Sequence, residues 1–462
     1  MAYAGRPTSV LALTKEDSGY LMDTQKVELL DAQLIQASKK IRVLSILSWP
    51  MGAGEKFLAS WKKGKPELPE VSIQPPDLED SVETLEHISG QCDQDDPVEK
   101  FLAETALSYA NAGRMLMGVG TPSFTEYSEK VYGRPDFVYR QQGVSAVDGA
   151  TFFLDVTDKL IGGQYIQSSE ADISAPEFAK WLKKEVDVFF TDDVVKVFLD
   201  ETISAKALAG ATRIRLRSSA MFSHLDKGQL LHHEAFVHTA TQLNGRKQTK
   251  LQSLGLGAPR TTRTQEGIAV LAELITNSID INRLRRIALR VIGVKKALDG
   301  ADFIDLFKFF LEAGQSEIES VQSAQRVFRG GAAKDGIVFT KDAVYLQGVL
   351  EVHTMLRLAI RDNKPNLVSN LFAGRLTIAD AVRLDPLFQT GWLVPPTYIP
   401  EWASDLQRLA DNMAFSAFST NIDLNKAYLQ RASELEVELG SARRTAAAGS
   451  GRRHPLRFNC VD

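Results

Sequence analysis

Apolar residues recur at helical spacing along most of this chain, and this periodicity limits the folds open to it more than any other feature. Repeats at i, i+3, i+4 and i+7 are typical of amphipathic helices that bury one face. Proline and glycine interrupt the pattern, for example at Trp49-Pro50 and over 118–122, where we expect helices to end. We predict helices over residues 22–48, 97–117, 226–243, 264–298, 301–313, 341–361, 376–384 and 400–437.

Two short segments have strand character instead. Residues 150–157 are rich in β-branched and aromatic side chains, and residues 212–218 alternate Ile214 and Leu216 with arginines. Such alternation indicates one buried and one solvated face, as on an edge strand. We therefore predict an α+β fold that is mostly helical, with a small sheet whose edge strand precedes the helix over 226–243.

The breaks in the pattern divide the chain into four regions. We predict a helical N-terminal region over 1–135, a central region over 136–400 that carries the functional site, a C-terminal helix over 401–440 and a basic disordered tail over 441–462. The tail holds five arginines among small residues, a composition that buries too little apolar surface to fold.

Composition narrows the function before any motif is considered. The 462 residues carry 54 Lys and Arg against 58 Asp and Glu, and the net charge of −4 argues against binding nucleic acid or an anionic membrane through the whole surface. Cys92 and Cys460 are the only cysteines, so no disulfide framework or multi-cysteine metal site is expected. We find no signal-peptide pattern, and no apolar run approaches the ~18–20 residues that cross a bilayer. We therefore predict a cytoplasmic protein without a nucleic-acid or membrane partner.

Histidines concentrate at one place in the sequence. Of the seven in the chain, four lie within fifteen residues, and His233 and His238 flank Glu234 in the segment HHEAFVH. Zinc hydrolases use imidazole and carboxylate ligands, an open position for water and a nearby carboxylate as base. Residues five apart on an ideal α-helix differ by about 140° in direction. His233 and His238 can therefore share a metal only through a π-type widening, a kink or a metal at the end of the helix.

The spacing leaves other arrangements open. Glu234 and His238 are four apart and lie on one helix face, so they could be the ligands, with His233 in a supporting position. The histidines could also be ordinary surface or core residues. Downstream, Glu266 lies in the first turn of a predicted helix, where the dipole favours an ionised carboxylate, and it is a candidate third ligand. Glu273, seven residues further on the same face, could orient a ligand histidine or be a solvated charge.

Several longer motifs resemble one known family. They are HHEAFVH, TQEGIAVLAE, RVFRGG, FTKDAVYLQGVLEVH, SEKVYGRPD and SWPMGAGEKF, and the resemblance covers roughly residues 25–400. The chain resembles the tyrosine carboxypeptidase family, which contains the microtubule-associated tyrosine carboxypeptidases and the bacterial flavohemoglobin expression-modulating QEGLA motif proteins. This chain has QEGIA where the family has QEGLA, an exchange of aliphatic side chains that changes no chemical group.

The resemblance implies a zinc metallopeptidase that hydrolyses the C-terminal peptide bond of a peptide or protein, with 136–400 as its catalytic region. Zinc would acidify a water molecule, and a glutamate would take the proton from that water and return it to the leaving amine. The residues implied are, as zinc ligands, His233, His238 and Glu266 and, as general base, Glu234. We also predict that Glu273 and His232 support the ligands from positions that do not touch the metal.

A carboxypeptidase also needs a cation for the terminal carboxylate of the substrate and a donor for the oxyanion. Arg326 and Arg329 lie beside a glycine pair, and Lys341 and Tyr345, four apart on a predicted helix, could converge on one pocket. We predict that the two arginines and Lys341 bind the substrate and that Tyr345 takes part in catalysis. The strand at 212–218 could bind the substrate backbone by strand addition.

Two other functions fit part of the pattern. Two histidines and one carboxylate are also the ligand set of non-haem iron enzymes, although Glu234 has no obvious role in such a site. A non-enzymatic regulatory or binding protein would carry a structural metal or none. A structural zinc usually has four protein ligands, whereas three are evident in this sequence. We therefore prefer the zinc carboxypeptidase.

Overall fold

The fold is seen in a computed structural model of the chain. The structure describes residues 23–50, 52–138, 143–161, 171–203, 205–331 and 333–419. The chain divides into two compact units, Met1–Leu409 and Ala410–Asp462. The predicted tail over 441–462, and residues 420–440 of the predicted C-terminal helix, lie outside the described residues. The region boundary at residue 135 stays a prediction.

Helices dominate the described residues, so a mostly helical fold is confirmed. A π-helical segment covers Leu231–Thr239, and 3₁₀ turns cover Gln252–Gly255, Pro259–Thr261 and Thr340–Ala343. None of the described helices is both long and apolar enough to span a membrane. The α-helices are α1 (Thr24–Ser38), α2 (Val43–Ile46), α3 (Ala53–Lys62), α4 (Glu79–Gln91), α5 (Pro97–Met117), α6 (Pro122–Tyr132), α7 (Ala146–Ile161), α8 (Ala175–Phe189), α9 (His224–Leu230), α10 (Ala240–Arg246), α11 (Thr262–Ile275), α12 (Ile281–Leu298), α13 (Phe303–Glu312), α14 (Glu317–Val327), α15 (Val344–Arg361), α16 (Asn366–Asn370), α17 (Ile378–Arg383), α18 (Asp385–Gln389), α19 (Glu401–Ser404) and α20 (Leu406–Ser419).

Within the described residues the strands form two small sheets, which agrees with the α+β class. The strands are β1 (Ile173–Ser174), β2 (Lys196–Asp200), β3 (Ala207–Gly210), β4 (Arg213–Arg217) and β5 (Met221–Phe222). One sheet pairs β1 and β5 antiparallel, and the other has three strands in the order β2-β4-β3.

The predicted edge strand at 212–218 is a strand, but it is not at an edge. This strand, β4, pairs in parallel with β2 on one side and antiparallel with β3 on the other. Its alternation is as predicted, because Ile214 and Leu216 are fully buried between more exposed arginines. Alternation reports the two faces of a strand and says nothing about its two edges. A substrate therefore cannot add to β4, and the edges of this sheet are β2 and β3.

The second predicted strand, 150–157, is wrong, since these residues lie in helix α7. Ala146 and Ala150 are buried four residues apart, which is the spacing of a helix face. Strand propensity is a weak preference, and packing of α7 on α12 decides the outcome. The long helix predicted over 264–298 is two helices, because Asp280 accepts a hydrogen bond from the Arg283 amide and starts α12 anew.

Helices α11 and α15 meet through two glycines. A Cβ atom on Gly267 would lie 2.3 Å from the carbonyl oxygen of Gly348, and a Cβ on Gly348 would lie 2.1 Å from that of Arg263. Only glycine permits so close an approach of two backbones. The contact brings the helix that carries Glu266 against the segment that carries Lys341 at the start of α15.

Candidate metal centre

The histidine segment is π-helical. The helix starts as α9 after Ser223, whose side chain accepts from the Asp226 amide in a capping box, and becomes π-helical over Leu231–Thr239. Hydrogen bonds in a π-helix connect residues i and i+5, so residues five apart lie on the same side. The rings of His233 and His238 accordingly lie next to each other in an edge-to-face contact, with centroids 4.8 Å apart and planes at 87°. Of the three arrangements that the spacing allowed, the structure has the π-type widening.

Glu266 completes a group of three potential ligands. Its Oε2 lies 3.5 Å from His233 Nε2 and 3.7 Å from His238 Nε2. One ligand atom from each of the three residues lies within 4.8 Å of the others. Burial alone would raise the pKa of Glu266, but Lys341 and the two histidines hold that pKa well below its usual range. The carboxylate is therefore ionised, as a metal ligand must be.

Glu273 fixes the ring of His233 from behind. His233 Nδ1 and Glu273 Oε1 are 2.7 Å apart, and both residues are buried. Arg283 donates to the same carboxylate, from Nε at 2.5 Å and from Nη2 at 2.6 Å. Burial opposes a charge on the His233 ring, yet hydrogen bonds with Glu266 and Glu273 raise the pKa of His233 to about 10. Carboxylates that attract a proton to this position also attract a divalent cation.

The donor set fits a metal with an open coordination position. Two imidazole nitrogens and one carboxylate oxygen are the protein ligands of catalytic zinc sites and also of non-haem iron sites. Among the residues that the structure describes, the group has three members, one fewer than a closed structural zinc site uses. The chemistry of the group therefore favours a catalytic divalent metal over a structural one.

Glu234 lies beside the group and is held by the sheet. Its Oε2 accepts a hydrogen bond from the backbone amide of Ala209, on strand β3, at 3.1 Å. The clustered ligand atoms belong to His233, His238 and Glu266, so the arrangement with Glu234 as a ligand and His233 as its support is not the one found. Sequence reasoning missed Ala209, because a backbone donor has no residue type to identify it.

Lys341 and Tyr345 lie next to Glu266. Lys341 Nζ is 3.2 Å from Glu266 Oε1 and 3.3 Å from the Tyr345 hydroxyl. Burial works against a charge on Lys341, but Tyr345 and Glu266 keep the pKa of Lys341 above its usual value. The structure thus brings this pair together at the edge of the ligand group.

The two candidate arginines differ in their partners. Arg326 donates from Nε and Nη2 to both carboxylate oxygens of Asp342, at 2.5 and 2.7 Å. Arg329 has no hydrogen bond or ion pair among the described residues. Burial, and then repulsion from Arg326, lowers the pKa of Arg329 to about 10. Arg329 therefore retains donors that no described carboxylate occupies.

His232 is not joined to the ligands by any hydrogen bond in the described structure. Its ring lies edge-on to Phe236 with centroids 5.4 Å apart, and its buried Nδ1 has no described partner. Burial lowers the pKa of His232. The side chain therefore packs as an uncharged ring beside the group.

Three charged residues around the site were missing from the sequence prediction: Arg283, Asp342 and Arg375. Arg375 donates from Nη2 to the carbonyl oxygen of His238 at 3.2 Å. Asp342 lies within the FTKDAVY motif, which was the one signal that could have identified it. Arg283 and Arg375 lie outside the motifs, and only the tertiary fold brings them to the site.

Comparison with known protein families identifies the family of this chain. A sequence model described as microtubule-associated tyrosine carboxypeptidase matches residues 55–421, which is most of the chain. No curated protein matches the chain. The family match confirms the resemblance that the motifs predicted. The chain belongs to the microtubule-associated tyrosine carboxypeptidase family.

Proposed function

We propose that this protein is a zinc-dependent carboxypeptidase that removes the last residue of a peptide or protein. The observation that carries the proposal is the grouping of His233, His238 and Glu266, with Glu234 directly after His233 in the π-helical segment. Family membership supports carboxypeptidase activity. We also propose a cytoplasmic location, because the composition offers no disulfide framework.

The three grouped residues would hold the zinc ion, which supplies Lewis acidity toward the peptide carbonyl and toward water. Glu266 would bind through Oε2, because Lys341 occupies the side of Oε1. Glu273 would keep Nε2 of His233 available by holding Nδ1. The orientation of the ligands is thus fixed by residues that need not touch the metal.

Glu234 would act as the general base. The Ala209 amide donates to Oε2, which leaves Oε1 to take the proton from the attacking water. The water oxygen forms a bond to the peptide carbon, the carbon–nitrogen bond breaks, and Glu234 returns the proton to the leaving amine. The hydrogen bond from β3 would hold the carboxylate in position through both transfers.

The cations near Tyr345 would bind the end of the substrate. Lys341 and Arg329 would hold the terminal carboxylate, and the Tyr345 hydroxyl would donate to the oxyanion of the tetrahedral intermediate. Arg326 lines the same region with a quarter of its side chain exposed, 26 %, while Asp342 occupies its fork. Arg326 would therefore act on the substrate through the electrostatic field of the Arg326–Asp342 ion pair. It could also donate from any guanidinium N–H group that is not bonded to Asp342.

A non-haem iron enzyme would use the same ligand set, but the position of Glu234 favours hydrolysis. The test begins with elemental analysis of the purified protein, followed by a library of peptides read by mass spectrometry. We expect about one zinc per chain and the loss of one C-terminal residue from some peptides. Tightly bound iron without peptidase activity would favour the iron enzyme, and a protein that binds no metal would favour a regulatory role.

Lys341 and Arg329, which would together clamp the terminal carboxylate of the substrate, make a separate prediction. A peptide with a free C-terminus should be cleaved, and the same peptide with a C-terminal amide should not, because the amide offers no negative charge to Lys341 and Arg329. Initial rates on the matched pair measure the difference. Equal rates on the two peptides would rule out the clamp and leave an endopeptidase as the better description.

A further inference from the structure

The π-helical register needs support from outside the helix. π-Helices are rare and usually cover a single turn, whereas this one covers Leu231–Thr239 and has α-helix on both sides. In α-helical geometry His233 and His238 would point about 140° apart. The ligand group therefore exists only while the wider register is maintained.

Thr241 connects the end of this segment to the helix that carries Glu266. Its Oγ1 lies 2.8 Å from the carbonyl oxygen of Val237 and 3.3 Å from that of His238. The same hydroxyl is 2.8 Å from Oε1 of Gln265, so its single proton is donated either to Gln265 Oε1 or to one of these two carbonyl oxygens. Thr241 is fully buried and Gln265 is 2 % exposed, so water does not compete for these contacts.

The contact joins neighbours of two ligands. Gln265 directly precedes Glu266, and the carbonyl groups that Thr241 meets are those of His238 and the residue before it. Arg375 supplies a further donor to the His238 carbonyl. A threonine hydroxyl that meets the carbonyl four residues back is common in ordinary helices. The additional contact with Gln265 makes the Thr241 side chain a link between α10 and α11.

We propose that Thr241 and Gln265 are positioning residues that lock the π-helical register and thereby keep His238 in the ligand group. The inference rests on the proposed metal site and adds to it. It gives the two polar residues of the QEGIA motif different tasks: Glu266 offers a ligand atom, and Gln265 fixes the helix that offers the other ligands.

Substitution of Thr241 provides the test in the full chain. Thr241→Val removes the hydroxyl at similar size, and Thr241→Ser retains it. We expect zinc affinity, measured by competition with a chromophoric chelator, to fall about 10–100-fold in T241V and to return to the wild-type value in T241S. Gln265→Met should behave as T241V does. Thr354→Val is the matched control, because it removes a hydroxyl that meets the Leu350 carbonyl at 2.8 Å on the exposed side of α15.

Amide hydrogen exchange of the metal-free protein gives an independent measurement. T241V should exchange at least about tenfold faster than T354V over residues 237–243, while the slow amides of α5 stay unchanged. If T241V also exchanges faster in α5, the substitution has caused a general folding defect. Zinc affinity and amide exchange of Q265M then decide the question. If the wild-type chain binds no zinc, the proposed function fails. Amide hydrogen exchange then still tests whether Thr241 and Gln265 maintain the π-helical register. Wild-type zinc affinity and unchanged exchange in the variants would overturn the proposal.

Discussion

Glu266 in the ligand group and Glu273 behind His233 each bind more than one partner. Glu266 directs Oε2 to the two histidines and Oε1 to Lys341. Glu273 holds His233 and Arg283 from a fully buried position. Each negative charge is thus compensated before a metal binds, which is how ionised carboxylates can stand in an enclosed site.

Glu273 offers a test that separates metal affinity from stability. Glu273→Gln keeps an acceptor for His233 but removes the charge that faces Arg283, and we expect metal affinity to fall about 10–100-fold. Glu273→Ala leaves buried polar groups unpaired, and we expect the free energy of unfolding to fall by about 3–5 kcal/mol. Chelator competition and urea unfolding measure the two effects. Glu126→Gln, at a glutamate whose side chain is 62 % exposed, is the control. Wild-type zinc affinity in E273Q would show that Glu273 does not position the ligand.

The sequence identified the residues that come together at the ligand group better than the residues that hold them. His233, His238 and Glu266 could be named because metal chemistry selects few residue types and because the motifs resemble a known family. Arg283 and Arg375 could not, since arginine is common and their partners are distant in the sequence. Contacts of this kind follow from tertiary packing and leave no local pattern.

Among the secondary-structure elements, spacing was informative where it conflicted with a regular helix. Two histidines five apart required a departure from α-geometry, and the π-helical segment is that departure. Strand predictions were less successful, because 150–157 is helical and β4 is central in its sheet. Helix periodicity extends over many residues, whereas a strand of five residues depends on neighbours that the sequence does not specify.

The contact between α11 and α15 predicts a large effect from one methyl group. In Gly267→Ala the new Cβ would meet the Gly348 carbonyl oxygen at 2.3 Å, so the two helices must separate. We expect the free energy of unfolding to fall by about 1–3 kcal/mol or more, measured with urea. Zinc affinity should fall too, because Glu266 moves with α11.

Gly90→Ala is the matched control for this prediction. Gly90 lies near the end of α4, and an added Cβ there would have no atom within 4 Å. We expect it to stabilise the protein by up to about 0.5–1 kcal/mol, since alanine is the better helix former. A G267A chain as stable as G90A would show that the helices do not pack so closely.

For the molecule as a whole, the candidate site is assembled from segments far apart in the sequence. The ligands come from residues 233–266, the cations from 326–341, and the donor to the base from Ala209 on β3. An unfolded chain cannot present these groups together, so metal binding must favour the folded state. The stability of the fold and occupancy of the site are therefore linked.

This linkage predicts a metal-dependent melting temperature. Zinc at about 100 times its Kd should stabilise the folded chain by about 2.7 kcal/mol, and a chelator should reverse the effect. Differential scanning calorimetry with and without chelator measures the shift. Glu266→Gln should make the shift much smaller, since it removes a ligand charge. A midpoint that zinc and chelator leave unchanged would mean that the ligand group does not bind the metal in solution.

The most direct test of the proposed activity is Glu234→Gln, assayed for bound zinc and for turnover on the same preparation. If Glu234 is the base and not a ligand, the variant should keep one zinc per chain and lose about 10²–10⁴-fold in kcat, because an amide cannot accept the proton of the attacking water. Elemental analysis and release of the C-terminal residue provide the two numbers. Unchanged turnover, or loss of the zinc, would contradict the assignment of Glu234 as the general base.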